Sequence, residues 1–462
     1  MREATKQRHA IAATRPPVSV IIPVRNGATH LRSCLQALAQ SISEFECIVV
    51  DDASTDDSAQ IARESGAIVL TTGEMQGPAA ARNLGAAAAK SDLLLFLDSD
   101  VCVKPDSLTR VVHLFAAEPD LSAAFGSYDD TPAQQDFLSQ YRNLMHHFVH
   151  QRSRRLAETF WSGFGAIRSP VFSAHGGFDT SFSRPSIEDI ELGHRLYRSG
   201  CKIILDPTIQ VKHLKAWTFR GMLTTDVLYR AIPWTELILR NSDMPRDLNL
   251  SISQRISVAL AFLLTGIAIV SSVMNATVFL APLIGLLFLM SAQYEVELTA
   301  TRRFKGTVAT TLLIVFLGVA SFWSDQPIIF VVSVLAFLLL LLRHHYYSPE
   351  FQSHKWVAKG AGGLLIAAVF FVAAQPGRHI FNLLLLAGGG ILILLNARFY
   401  ALLAAKRGRT YALAAIPFHL LFFLYSGIAF VVAVCRHMLL VIAHHLHLRT
   451  AQPDCRRSGT AG

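Results

Sequence analysis

Two carboxylates one residue apart, Asp98-Ser-Asp100, follow directly on the apolar run Asp92-Leu-Leu-Leu-Phe-Leu97. Placed at a strand end, such a pair converges from a sharp turn. Its hard oxygen ligands suit Mg²⁺ or Mn²⁺, and either cation would in turn bind phosphates. A second acidic pair, Asp51-Asp52, closes Phe45-Glu-Cys-Ile-Val-Val50, and a third, Glu188-Asp189, opens Glu-Asp-Ile-Glu-Leu-Gly-His-Arg-Leu196. Carboxylates in these places also serve as turn formers and helix caps. Capping is the expectation for Asp56 and Asp57, just ahead of a helix.

The elements that must position these groups are legible as alternation. Val18-Ser-Val-Ile-Ile-Pro-Val24 is a β-branched run closed by Arg25-Asn-Gly27, a buried strand ending in a turn. A helix from about Thr29 to Ala39 and a strand ending at Val50 follow. Helix and strand then alternate over Ser58–Ser65, Ala67–Thr71, Pro78–Lys90 and Asp92–Leu97. This pattern predicts an α/β domain with a mostly parallel, buried sheet. Ligands of such sheets bind beyond the carboxyl ends of the strands, where the acidic pairs lie.

Six segments in order carry a resemblance: Val18–Gly27, Ile48-Val-Val-Asp-Asp-Ala-Ser-Thr-Asp56, Gly77-Pro-Ala-Ala-Ala-Arg-Asn-Leu-Gly85, Leu95–Asp100, Gly176-Gly-Phe-Asp179 and Ile187–Leu196. Together they resemble glycosyltransferase family 2, the inverting nucleotide-sugar transferases with a GT-A (Rossmann-like) fold, over about Val18 to Trp234. The resemblance implies that Pro23 and Asn26 border the nucleotide, that Asp52 hydrogen-bonds its base and that Arg82 contacts it. It implies Asp100 as the metal ligand of the DxD pair, with Asp98 nearer the ribose, and Asp189 as the base on the acceptor side. A divalent cation, Mg²⁺ or Mn²⁺, would offset charge on the leaving diphosphate, while Asp189 takes the acceptor's proton.

Three further positions stay open between roles. His213, in Ile209-Gln-Val-Lys-His213, is either a histidine satisfied by ordinary hydrogen bonds or the third metal or diphosphate contact that the resemblance implies. Gly163 and Gly165 either let the backbone approach the donor sugar or serve packing. The stretch from Gln134 to Phe160 carries Arg142, His146, His147, His150, Arg152, Arg154 and Arg155 without acidic partners at ligand spacing. A basic surface, solvated or facing a membrane, is expected there.

The rest of the chain differs in kind. Of 462 residues, 52% are hydrophobic and 16% charged, and no charge occurs from Ile256 to Met290. That run is too long for one span of about 20 residues and predicts two helices turning near Asn275. Thr307–Trp323, Pro327–Leu342, Gly360–Ala374, Ile380–Leu395 and Tyr411–Val434, the last interrupted by Pro417, complete six or seven expected spans. The domains expected are a polar tail over 1–17, a catalytic domain over 18–249, an all-α transmembrane domain over 250–447 and a polar tail over 448–462. Arg302, Arg303 and Lys305, then Arg343, Lys355 and Lys359, then Arg398, Lys406, Arg407 and Arg409 alternate between loops and belong on the cytoplasmic side. Met1 to Pro17 show no apolar signal segment, so a multi-pass cell membrane protein with a cytoplasmic catalytic domain is expected.

The formal charge of +9 fits that loop bias, and no nucleic-acid-binding signature accompanies it. Six cysteines without a CxxC pair fit a reducing compartment. Near residues 216–240, aromatic, basic and apolar residues alternate, which suits helices at the membrane surface with Trp217 and Trp234 at headgroup level, or ordinary packing. Arg230-Ala-Ile-Pro-Trp234 stands where processive synthases of the family carry Gln-x-x-Arg-Trp. The expected partners are thus a nucleotide-sugar, membrane lipids and a lipid or lipid-linked acceptor for a single sugar. The alternatives are a processive polysaccharide synthase and a non-catalytic nucleotide-sugar-binding scaffold.

Overall fold

The computed structural model describes residues 15–241, 251–273 and 379–450. Its first half is an α/β domain on one eight-stranded sheet, ordered β3-β2-β1-β4-β7-β6-β8-β5. β1 (Ser19–Val24) lies between β2 (Glu46–Asp51) and β4 (Leu93–Leu97), parallel to both, and β3 (Ile68–Thr71) extends the parallel half. Successive β1 residues feed opposite faces, as strand geometry requires. Val20 and Ile22 join a core with Leu31, Leu35 and Phe115, and Ile21 joins one with Val50, Ala81 and Phe96. The first core is covered by α1 (Ala28–Leu38), α2 (Ser58–Glu64) and α4 (Ser107–Ala117). The second is covered by α3 (Pro78–Ala88), α6 (Ser169–Ala174) and α7 (Glu188–Arg198). Helix α1 buries Leu31, Cys34, Leu35 and Leu38, the spacing of one helical face.

The other half of the sheet is mixed, where a mostly parallel one was expected. β7 (Phe164–Arg168) runs antiparallel to both β4 and β6 (Leu121–Tyr128). A parallel return would need a crossover helix laid on the sheet. Here α5 (Phe137–Arg152), which follows β6, buries Tyr141, Leu144 and Met145 against Phe399, Leu403 and Tyr411 far along the chain. The strand after it re-enters from the end at which β6 left, antiparallel to β6. β8 (Lys202–His213) pairs parallel with β6 and holds the two-residue β5 (Val101–Cys102) antiparallel at its far end.

The basic stretch is not a surface along its length. Arg142, His147 and His150 are buried and His146 is half-buried, because α5 lies between the sheet and the C-terminal helices; Arg152, Arg154 and Arg155 remain exposed. The segment near 216–240 forms α8 (Phe219–Thr224), a π-helical segment (Thr225–Ala231) and α9 (Ile232–Asn241). Trp217 and Trp234 are buried by protein, not presented at headgroup level: Trp217 packs with Leu138 and Met222, and Trp234 with Ile187 and Ile238.

The C-terminal part contains α10 (Ile252–Val273), α11 (His379–Leu395), α12 (Ala397–Arg407) and α13 (Arg409–Thr450). Two described stretches, Ile252–Ile269 and Arg409–Val441, are long and apolar enough to cross a membrane. The pair Leu383–Leu395 and Ala397–Arg407, bent by 66°, would make a third if it is one span. Pro417 sits inside α13 without ending it. The expected turn near Asn275 and the spans Thr307–Trp323, Pro327–Leu342 and Gly360–Ala374 lie outside the described residues.

Helix α7, which starts with Glu188 and Asp189, rides directly on neighbouring backbone. A Cβ at Gly193 would come within 2.1 Å of the Phe160 nitrogen and 2.4 Å of the Thr159 carbonyl carbon. Backbone cannot yield as a side chain tip does, so Gly193→Ala should cost about 1–3 kcal/mol. Lowered thermal unfolding of the purified full-length chain is the expected result.

Candidate active site

The carboxyl ends of β1, β2 and β4 meet in a set of interlocked loops. Asn26 and Ala53 both take left-handed backbone, with φ of 50° and 55°. For residues with a side chain this conformation persists only where surroundings impose it. Here the Asn26 amide donates to Ser54 Oγ at 3.0 Å, and Asn26 Oδ1 accepts from the Thr55 amide at 2.8 Å. Asp56 accepts from the Ala28 amide at 3.0 Å and from the Ser58 hydroxyl at 2.5 Å. It thus caps α1 across space as well as the start of α2, whereas Asp57 makes no side-chain capping bond. Pro23, next to last in β1, is half-buried beside Val50.

Asp52 is almost fully committed to its own fold. Its carboxylate accepts from Thr72 Oγ1 at 2.9 Å and from the amides of Gln76 and Gly77 at 2.8 and 2.9 Å. That ties the end of β2 to the loop entering α3. Gly77 has φ of 92°, and a Cβ there would strike the Ser183 backbone at 2.5 Å, so the loop lies against residue 183 of the loop that precedes α7.

The centre of the site is a buried arginine. Arg82 on α3 donates to Asp98 Oδ1 and to Glu188 Oε1, both at 2.8 Å, and lies 5.5 Å from the Phe178 ring centre. Burial by itself would lower its pKa, but Asp98 and Glu188 outweigh that and raise it above its ordinary value. Glu188 also accepts from the Ser186 amide at 2.9 Å. The Asp98 amide donates to the Gly163 carbonyl at 3.1 Å, and a Cβ on Gly163 would meet the Trp161 ring at 2.5 Å. This geometry favours the packing role for Gly163.

Asp189 is half-buried beside this cluster and accepts from the Ser162 amide at 3.0 Å and its hydroxyl at 3.2 Å. Burial, then the neighbouring Glu188 charge, push its carboxyl up to about 6, against the opposing Ser162 hydrogen bond and Arg82 charge. A carboxylate of that basicity is suited to take a proton near neutral pH.

Asp100 and His213 form the second pole. Val101 pairs with His213 across β5 and β8, which brings Asp100 Oδ2 to 3.5 Å from His213 Nε2. Burial would raise Asp100, but the His213 hydrogen bond and charge, with Lys215 and His30 behind, bring it down to about 2. Asn143 Oδ1 takes the indole N–H of Trp217 at 3.4 Å, and an indole can only donate. The same oxygen therefore accepts from His213 Nδ1 at 2.7 Å, which turns Nε2 toward Asp100. Tyr128 stacks on His213 with ring centres 4.3 Å apart.

Among the described residues no three His, Cys, Asp or Glu side chains gather as a complete metal cage. Cations that serve phosphates need none, since Mg²⁺ takes one or two carboxylates and completes its shell with water and phosphate oxygens. An ionised Asp100 beside a histidine nitrogen oriented by Asn143 fits such a cation.

The structure thus brings Arg82, Asp98, Asp100, Asp189 and His213 to one end of the sheet, with Pro23 at the end of β1 and Asn26 and Asp52 in the loops beside them. Sequence reasoning missed Glu188 as the second partner of Arg82, although an acid beside Asp189 in the first turn was a usable signal. It also missed Ser162, Asn143 and Tyr128, which act through tertiary neighbours and carry no local mark.

Residues 19–175 match the model of glycosyl transferase family 2. A pre-mycofactocin glycosyltransferase of Mycobacterium tuberculosis is 30% identical over 239 residues, 47% of this chain and 48% of that one. A 4,4'-diaponeurosporenoate glycosyltransferase of Staphylococcus haemolyticus is 38% identical over 112 residues, 23% of this chain and 30% of that one. A mannosyltransferase of Pyrobaculum calidifontis, solved with GDP-Man and Mn²⁺, aligns over 82% of this chain and 88% of that one with 18% identity and a TM-score of 0.36. The chain spans between 30% and 48% of the length of the first four curated relatives it matches.

The charge of Glu188 holds Asp189 up, so Glu188→Gln should lower the Asp189 carboxyl below its value of about 6. Infrared titration of the carboxyl band, with Asp189→Asn as the subtraction, reads that shift directly.

Proposed function

We propose that this chain, whose residues 19–175 form a glycosyl transferase family 2 domain, is a membrane-bound glycosyltransferase. On this reading it moves one sugar from a nucleotide-sugar to a lipid or lipid-linked acceptor, with inversion. One observation carries it. A single buried arginine bridges Asp98 of the DxD turn and Glu188, whose neighbour Asp189 has a carboxyl raised to about 6.

The roles follow from that arrangement. Asp100 and His213 would hold Mg²⁺ or Mn²⁺, which would offset the charge of the leaving diphosphate. Arg82 keeps Asp98 oriented toward the donor and screens it from Glu188. The loops at Pro23, Asn26 and Asp52 border the nucleotide, with Asp52 acting by fixing the 72–77 loop. Asp189 accepts the proton of the acceptor hydroxyl as that oxygen attacks the anomeric carbon opposite the departing diphosphate, and one displacement inverts the centre. Helices Ile252–Ile269 and Arg409–Val441 support a membrane setting; a multi-pass arrangement with a cytoplasmic site follows from the Lys and Arg pattern of the loops.

The test is the full-length protein in vesicles, screened against labelled nucleotide-sugars with Mg²⁺ or Mn²⁺. Label is expected in an organic-extractable glycolipid of defined size, and a long polysaccharide from the same donor would replace this reading by that of a synthase. Asp189→Asn should lower transfer by about 10²–10⁴-fold with donor affinity nearly unchanged. Because the base works deprotonated, the wild-type rate should climb as pH rises through about 6 and level off above it. Asp100→Asn and metal removal with EDTA should each abolish turnover, and full activity after exhaustive removal would refute the metal's part.

A further inference from the structure

The catalytic domain and helix α13 meet at a buried ion pair that the chemistry above does not use. Arg142 on α5 donates to Asp226 Oδ1 in the π-helical segment, with side chains only 3% and 5% exposed. The other carboxylate oxygen accepts from the Tyr425 hydroxyl of α13 at 2.6 Å. Trp217 covers the guanidinium at 5.7 Å. A pair this dry adds little stability over an apolar replacement, and its best-attested use is to fix register.

The same segment is tied at its other end to the loop that precedes α7. The Tyr229 carbonyl accepts from Ser186 Oγ at 2.6 Å, and its hydroxyl accepts from Arg184 at 3.1 Å. The Ser186 amide donates to Glu188 Oε2 at 2.9 Å. A continuous chain of hydrogen bonds and one short segment thus runs from α13 to the residue before Asp189. π-Helical turns recur at functional places because they cost stability that something else must justify.

We propose that Tyr425, Asp226 and Arg142 form a positioning strut. They lock the π-helical segment to α13, and through Tyr229 and Ser186 they hold residues 183–188 so that Asp189 meets an acceptor presented at the membrane. The mechanical part stands on the contacts alone; the catalytic part rests on the membrane-acceptor reading above.

The experiment uses the full chain in phosphatidylethanolamine–phosphatidylglycerol vesicles, with amide hydrogen exchange as the first readout. Tyr425→Phe removes one hydroxyl at nearly constant volume and should raise exchange about tenfold between residues 183 and 190 and between 225 and 231, as loss of one charge-assisted hydrogen bond allows. Ser186→Ala cuts the strut at its far end and should loosen 183–190 alone. With the donor that the screen identifies, Tyr425→Phe should lower kcat for transfer about tenfold while donor KM and acceptor-free donor hydrolysis stay within about twofold. Exchange in Tyr425→Phe that rises only around 225–231 and α13 would reduce the triad to local packing and overturn the proposal. So would an equal fall in transfer and hydrolysis. A wild type that labels no membrane acceptor would instead remove the functional reading, with the exchange result still deciding the strut.

Discussion

A guanidinium with almost no access to water, held between two carboxylates, is the constraint on which the site depends. Arg82 is buried and contributes from α3, Asp98 from the end of β4, and Glu188 from the start of α7. Arg82 or Glu188 left alone would be an uncompensated charge in a poor dielectric, which costs several kcal/mol. The three elements are therefore obliged to stay together, and the obligation sets the spacing between the DxD turn and the acidic helix start. It also creates the asymmetry that chemistry needs. Glu188 pairs with Arg82, and Asp189 beside it is raised by burial and by the Glu188 charge, with Ser162 and Arg82 opposing.

The second pole obeys a different rule. β5 is two residues long and has no stability of its own, but its pairing with β8 makes Asp100 and His213 neighbours. Behind them Asn143 belongs to α5, the helix that lies between the sheet and Tyr411 and Phe399 of the C-terminal helices. One helix thus orients the histidine and forms the seam with the C-terminal helices. Lys406 to Asp130 at 2.5 Å, Arg407 to Gln140 at 2.6 Å and Tyr411 to the Phe137 carbonyl at 2.8 Å fasten the same seam.

Local pattern was enough to read the parallel strands β1 to β4, their helices and the acidic positions at their ends, because apolar runs, turn residues and spacing are set within a few residues. It also sufficed to separate an α/β domain from an apolar helical region, since charge is excluded from long runs. It could not say which of two adjacent acids, Glu188 or Asp189, would be neutralised, because that depends on Arg82 arriving from more than a hundred residues away. Nor could it tell that Asp52 spends its oxygens on the 72–77 loop, or that Trp217, Trp234 and the histidines of α5 face inward. Their spacing is the same whether the neighbouring surface is water, lipid or protein. Residue type and order determined which groups could do chemistry; only the tertiary structure decided which carry free charge, because burial and pairing are properties of neighbours distant in the chain.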